Sequence, residues 1–187
     1  MQPDLFSGEP ALPEGLRYRA DLLSGAEESA MVHGLGGLPF REFEFHGFLG
    51  KRRVVSFGWR YDFNGGGLKQ AEDLPAFLLP LRERAAAFAL TRASSLQQVL
   101  VTEYRPGASI GWHRDRSVFG IIVGVSLLAP CAFRLRRRSG NSWQRASLRL
   151  EPRSVYLLEG PARCEWEHSI AAMDRLRYSL TFRSIAA

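Results

Sequence analysis

Lysine is almost missing from this 187-residue chain. Lys51 and Lys69 are the only two, so arginine carries the basic side of a formal charge of +6 and a sequence pI near 9.9. Arginine holds phosphate and carboxylate with a planar fork, which makes polyanions candidate partners, although a GC-biased genome also raises arginine content. Cysteine is equally scarce. Cys131 and Cys164 are too few for a disulfide scaffold and lie in apolar, strand-like contexts, so both are expected to be buried free thiols, and a metal site built on sulfur is argued against. No apolar run reaches the roughly 18 residues of a membrane crossing. The opening MQPDLFSGEP also has neither a basic n-region nor an apolar h-region, so the expectation is a cytoplasmic monomer with no membrane partner. A composition of 45% hydrophobic and 24% charged residues excludes disorder, collagen and coiled coil, and leaves room for one globular core.

The chain shows no repeat, low-complexity tract or long linker, so a single domain is expected over residues 1–187. Residues 1–13, with Pro3, Pro10 and Pro13, read as a loose arm. Ser24 followed by Glu27 is a capping-box signal for a short helix ending near Gly34 to Gly37. The alternating segments Phe40 to Phe45 and Arg53 to Phe57 read as strands around a turn from His46 to Gly50, and Trp59 to Phe63 continues as strand. Asp73 is read as the cap of a second helix, Leu74 to about Leu90, with Phe77, Leu78, Leu81, Ala85 and Phe88 at helical spacing. From residue 97 onward the texture changes to short β-like runs: 98–104, 119–128, 132–137, 147–150, 154–158, 163–167 and 176–182. Seven such runs punctuated by turn signals predict an α+β, mainly β protein, with an antiparallel sandwich or barrel of the jelly-roll kind and helices on one outer face.

Within the β region, Gly111-Trp112-His113-Arg114-Asp115 is followed 53 residues after Asp115 by His168. On an extended backbone His113 and Asp115 point to the same side, so one ion can reach both while a later strand supplies the third ligand. Two imidazoles and one carboxylate on one face leave three positions of an octahedral metal open, which suits a ferrous centre that binds a chelating co-substrate and oxygen together. An H-x-D triplet alone arises by chance in about one sequence in eight of this composition, so it needs support. His33 and His46 lie in loop or turn settings and read as surface residues. Support comes from Arg177-Tyr178-Ser179-Leu180-Thr181-Phe182-Arg183, where alternation puts Tyr178, Leu180 and Phe182 on one face and Arg177, Ser179, Thr181 and Arg183 on the other. An arginine fork at each end of a five-carbon dicarboxylate is physically feasible from that strand.

The ordered set of H-x-D, a histidine some 50 residues on, and R-x5-R within RYSLTFR resembles the AlkB family of iron(II)- and 2-oxoglutarate-dependent dioxygenases. The resemblance runs from about Leu100 to Arg183, with Val101 to Ala108 similar to the family's tyrosine-containing strand and its turn. It implies a double-stranded β-helix core with flanking helices, residues 97–187 as the catalytic β core, and residues 14–96 as the substrate-recognition region. It implies that His113, Asp115 and His168 hold Fe(II) and are the catalytic set. Arg177 and Tyr104 would bind the distal carboxylate of 2-oxoglutarate, and Arg183 would work near the metal end. The implied chemistry is oxidative demethylation of N-alkylated bases in methylated DNA or RNA, using O2 and releasing succinate and formaldehyde.

Two departures from the family pattern stand out. Thr102 and Ser179 occupy positions where many DNA-repair members have asparagine, and both can still donate a hydrogen bond to the co-substrate. Ser117 stands where several members carry an acidic residue that reads the target base, so base identity is open. In the amino-terminal part, Tyr61 and Phe63 alternate onto one face and are candidates to sandwich a flipped base or to pack in a core, while Arg52 and Arg53 beside them are candidates for phosphate. Arg134, Arg136, Arg137 and Arg138, with Arg145, Arg149 and Arg153 nearby, face away from the core as a solvated face or a polyanion groove. Other readings stay open: an AlkB-like demethylase or hydroxylase acting on tRNA or protein side chains, a pseudo-enzyme, and a metal-free, non-catalytic nucleic-acid-binding β-sandwich.

Overall fold

A computed structural model describes residues 12–45, 48–62 and 66–186. His46 and Phe63 lie outside the described residues. The elements run β1 (Leu16–Arg19), α1 (Gly25–Gly36), β2 (Arg41–Phe45), β3 (Phe48–Phe57), β4 (Trp59–Tyr61), β5 (Leu68–Gln70), α2 (Leu79–Ala89) and β6 (Gln98–Tyr104). They continue as β7 (Ile110–His113), β8 (Phe119–Leu127), β9 (Cys131–Ser139), β10 (Ser142–Leu150), β11 (Ser154–Leu158), α3 (Gly160–Cys164), β12 (Glu167–Ile170) and β13 (Arg177–Ile185). A seven-stranded sheet in the order β1-β11-β8-β13-β6-β3-β2 faces a four-stranded sheet in the order β10-β9-β12-β7, and β4 pairs with β5. The described pairings are antiparallel, the arrangement of a jelly roll with flanking helices.

Alternation along β13 explains how one strand serves two cores. Tyr178, Leu180 and Phe182 point to the outer side of the large sheet, where Leu35 of α1 and Leu81, Ala85, Ala86 and Ala89 of α2 cover it. The intervening residues turn toward the space between the sheets, where Phe133, Leu135, Ile122, Leu158 and Trp166 form a second cluster. The two clusters fix the large sheet between helices and small sheet, and the interior is left with polar side chains at one end.

The capping box forms as expected: Ser24 Oγ accepts from the Glu27 amide at 3.2 Å, and Glu27 accepts from the Ser24 amide at 2.8 Å. The second helix differs from expectation. Asp73 does not cap it, because Pro75 disfavours the α conformation at Leu74; a 3-10 turn over Ala76–Leu78 leads instead into α2. The strand expected over 163–167 is also corrected. Pro161 starts a short helix, α3, and the strand that follows is β12, which carries His168. Cys131 is buried as expected, but Cys164 at the end of α3 is exposed. The strand expected over 147–150 extends back to Ser142, closed onto β9 by Gly140 at φ +57°.

Candidate metal and co-substrate site

The site lies in a cleft of about 1560 Å3 at the polar end of the space between the sheets. His113 on β7 and His168 on β12 are directly opposite in the antiparallel pairing, which sets their side chains side by side on the inner face. Asp115 follows β7 after one intervening residue and returns to the same side. The ligand atoms of His113, Asp115 and His168 all lie within 4.8 Å of one another, and the two imidazole centroids are 4.2 Å apart.

Each ligand is oriented by a neighbour. His113 Nδ1 is 2.8 Å from the Gly111 carbonyl, which can only accept, so Nδ1 carries the proton and Nε2 presents its lone pair to the cleft. The Asp115 carboxylate accepts from Arg183 Nη2 at 2.6 Å, and its other oxygen is 3.6 Å from His168 Nε2. Burial works against the charged form of Asp115, but Arg183 and the two imidazoles outweigh it and hold its pKa well below the usual carboxylate range. Burial pulls the His168 pKa down to about 3, with His113 adding to the effect, and burial lowers that of His113 as well. At neutral pH the set is two neutral imidazoles and one carboxylate, the protonation state that a divalent metal requires. The donor chemistry therefore fits a ferrous ion.

Arg177 provides the second test of fit. Its residue is 0% exposed, its Nε donates to Ser126 Oγ at 3.0 Å, and its two terminal nitrogens have no hydrogen-bond partner among the described residues. A buried guanidinium without an anion is costly, and a carboxylate placed against its free fork removes that cost. Tyr104 pairs opposite Arg177 in the β6–β13 register, and the guanidinium sits over its ring at 5.1 Å. Burial pushes the phenol of Tyr104 up, so it keeps its proton and can donate to the same carboxylate. Thr102 and Ser179, also paired in register, line the cleft beside it. Arg183 has its fork committed, with Nη1 donating to Gln98 Oε1 at 3.0 Å and Nη2 to Asp115. It acts on the metal ligand.

The substrate-side residues divide. Tyr61 lines the cleft with Arg116 over its ring at 5.0 Å, and Arg52 lines it stacked on Phe43 at 3.8 Å. Arg53 points to the other side of β3, where Nε and Nη2 each donate to Glu103 at 2.8 Å. The expectation that Arg53 meets phosphate is corrected: one residue along a strand reverses the facing, and Glu103 takes up the fork. Two residues escaped the sequence reading. Arg163 of α3 donates to the carbonyls of Arg116, Phe119 and Gly120 at 2.6, 2.7 and 2.9 Å, pinning the segment that follows Asp115. Tyr156 of β11 reaches the cleft across Gly124, where an added Cβ would lie 2.2 Å from the ring. Neither has a local motif, since α3 looks like strand and Gly124 looks like any strand glycine.

Comparison with known proteins decides what this arrangement belongs to. Residues 48–183 match the sequence model of the 2OG-Fe(II) oxygenase superfamily, a span that contains the triad, Tyr104 and the whole arginine strand. The chain belongs to that superfamily. The oxygenase is 32% identical over 206 residues, covering 96% of it, to the "Alkylated DNA repair protein ALKBH8 homolog" of Arabidopsis thaliana. It is 38% identical over 92 residues, or 48% of its length, to "Alpha-ketoglutarate-dependent dioxygenase alkB homolog 7, mitochondrial" of Mus musculus. It spans 58% and 40% of those two relatives. Among solved structures, OsALKBH1 superposes with a TM-score of 0.70 at 16% identity, covering 93% of the oxygenase and 98% of the other chain, a likeness of fold. The oxygenase is thus an AlkB-family 2-oxoglutarate-dependent dioxygenase domain, of a family that uses Fe(II), 2-oxoglutarate and O2.

Proposed function

We propose that this oxygenase demethylates N-alkylated bases in nucleic acid, with His113, Asp115 and His168 holding Fe(II) and Arg177 anchoring 2-oxoglutarate. The observation that carries the reading is a complete donor triad sharing a cleft with Tyr104, and against that tyrosine's ring a fully buried arginine whose fork has no hydrogen-bond partner among the described residues. When bound, the metal and 2-oxoglutarate would supply the oxidation with O2 as the oxidant: one oxygen atom would enter the co-substrate, which loses CO2 to become succinate, the other would convert an N-methyl C–H to C–OH, and that carbon would leave as formaldehyde.

The chain's own residues do the rest. Arg177 and Tyr104 take the distal carboxylate, with Thr102 and Ser179 as further donors along the same floor. Arg183 keeps Asp115 ionised and aimed, and the Gly111 carbonyl fixes the tautomer of His113. Phe133, packed 5.2 Å from the His168 ring, keeps water away from that side of the metal position. A nucleic-acid substrate is supported by the rim, where Arg41, Arg52, Arg60, Arg114 and Arg116 line the cleft with Tyr61 among them. On this reading residues 14–96 select the substrate and residues 97–187 carry the chemistry.

The test is succinate and formaldehyde release with Fe(II) and 2-oxoglutarate over methylated single-stranded DNA, methylated RNA and methylated peptides. Release with a methylated nucleic acid, abolished in His113→Ala, Asp115→Ala and His168→Ala, is expected. Release with peptides alone would transfer the function to protein side chains. Full turnover in any of the three variants would overturn the metal assignment.

A further inference from the structure

Away from the cleft, the small sheet turns a second face outward. Along β9 the buried residues are Cys131, Phe133 and Leu135, so Arg134, Arg136 and Arg138 stand on the opposite side. Along β10, Ala146 and Leu148 pack on the core, which leaves Trp143, Arg145, Ser147 and Arg149 outward. The one acidic residue in the four strands of this sheet is Glu167, which accepts from Arg136 at 2.6 Å. Arg149 is met by Glu151 at 2.5 Å from beyond the strand. Arg145 lies directly across from Arg136, and like charges in that position destabilise a sheet.

Two indoles organise the guanidiniums. Arg136 lies 4.4 Å from the Trp112 ring and 4.2 Å from the Trp143 ring, Arg134 is 5.4 Å from Trp112, and Arg138 is 4.7 Å from Trp143. Arginines held against rings lose less freedom when they take up phosphate. Trp112 also lines the cleft, so the lattice is continuous with the cleft rim. From β7 to β10 it crosses four strands, roughly 14 Å at the spacing of a sheet.

We propose that this outer face is a nucleic-acid contact surface, holding the single strand that flanks a nucleotide seated in the cleft. Arginine forks meet phosphates, while the indoles and the outer planes of the stacked guanidiniums meet bases. An acidic peptide would use the charge and leave the rings idle. The purpose of the surface rests on the nucleic-acid function proposed above, but its binding requires no turnover.

The test is binding of a fluorescein-labelled, unmodified single strand of about 15 nucleotides to the full chain, followed by anisotropy between about 50 and 200 mM salt. In the triple variant Arg134→Ser, Arg138→Ser, Arg145→Ser, affinity should fall at least about tenfold and the slope of log K against log salt should become shallower by about 2. The corresponding triple lysine variant should recover most of the slope. Unchanged affinity and slope in a serine variant with wild-type thermal stability overturns the proposal. The same strand should quench the indole emission of the unaltered protein, less so in Trp143→Phe, and absence of quenching also overturns it. Polyglutamate competing as strongly as the oligonucleotide would assign the face to an acidic protein and overturn it. Succinate release from short methylated oligonucleotides should stay unchanged in the triple variant. If no methylated nucleic acid releases succinate while binding at this face persists, the proposed substrate fails and the surface stands.

Discussion

Replacing Arg177 by methionine, of similar length and without charge, should move the free and the co-substrate-bound protein in opposite senses. In the free protein the guanidinium is wholly buried, and one bond to Ser126 and the face of Tyr104 leave its fork unsatisfied. Even a buried ion pair is commonly replaced by apolar side chains of similar volume at no cost or with a gain of about 1 to 4 kcal/mol, and a charge without a counter-ion has less to lose. The melting temperature of Arg177→Met without 2-oxoglutarate should therefore equal or exceed that of the wild type. With co-substrate the sign reverses, because loss of one partner of a buried charged pair costs about 3 to 5 kcal/mol, a factor of roughly 10² to more than 10³ in affinity. The assay is a thermal shift with Mn(II) in place of iron, with and without 2-oxoglutarate. At one hundred times Kd the wild type gains about 2.7 kcal/mol, worth roughly 5 to 10 °C in a chain of this size, and the variant should gain almost nothing. In turnover, KM for 2-oxoglutarate should rise by the same large factor, with a smaller change in kcat. A variant that melts well below the wild type yet keeps its full shift with 2-oxoglutarate would refute the role of Arg177 as the anchor.

Three further outcomes are expected. Arg183→Gln removes the charge that orients Asp115, so Mn(II) affinity measured by competition should fall about 10- to 100-fold, as it does when a group hydrogen-bonded to a metal ligand is lost; unchanged affinity would remove Arg183 from the site. His168 is held neutral in the folded metal-free protein, with its pKa near 3 against about 6.5 when unfolded. The unfolded chain therefore binds more protons between those values, and stability of the metal-free protein should fall on acidification below pH 6.5 by up to about 1.4 kcal/mol per unit for this group; denaturant melts of His168→Gln should show a shallower loss. Glu103, 4% exposed, accepts from Arg53, Arg105 and Tyr178, and burial, which raises its pKa, is outweighed by those arginines, which lower it. Glu103→Gln should cost about 1 to 3 kcal/mol, since both arginines reach water, and calorimetry should show it with KM for 2-oxoglutarate unchanged.

Local pattern was enough to locate the chemistry but not the supports around it. His113 and Asp115 were legible because an i, i+2 spacing on extended chain places both on one side whatever the register. His168 was legible as a third ligand by its order in the chain, but its strand was not: residues 163–167 read as strand after a turn at Gly160-Pro161, whereas a short helix forms there, held by Arg163 finding three carbonyls some 45 residues earlier. Alternation put Arg177 and Arg183 together on one face without deciding which side of the sheet that is, and nothing local says that the fork of one is left without a hydrogen-bond partner among the described residues and that of the other is spent on Asp115. Arg52 and Arg53 are equivalent in composition, and only the pairing of β3 with β6 separates the residue in the cleft from the residue held by Glu103. The helix over 79–89 was recognisable from its apolar spacing, whereas its start was set by Pro75 rather than by Asp73.

β7 lies at the margin of the small sheet, hydrogen-bonded among the described strands to β12 alone, and it delivers His113 opposite His168. A divalent ion shared by these two side chains would clip a marginal ribbon onto that neighbour. Loading and stripping should consequently be readable in the main chain itself, with amide hydrogens of Gly111 to His113 exchanging slowly with deuterium when the ion is present and quickly when a chelator removes it.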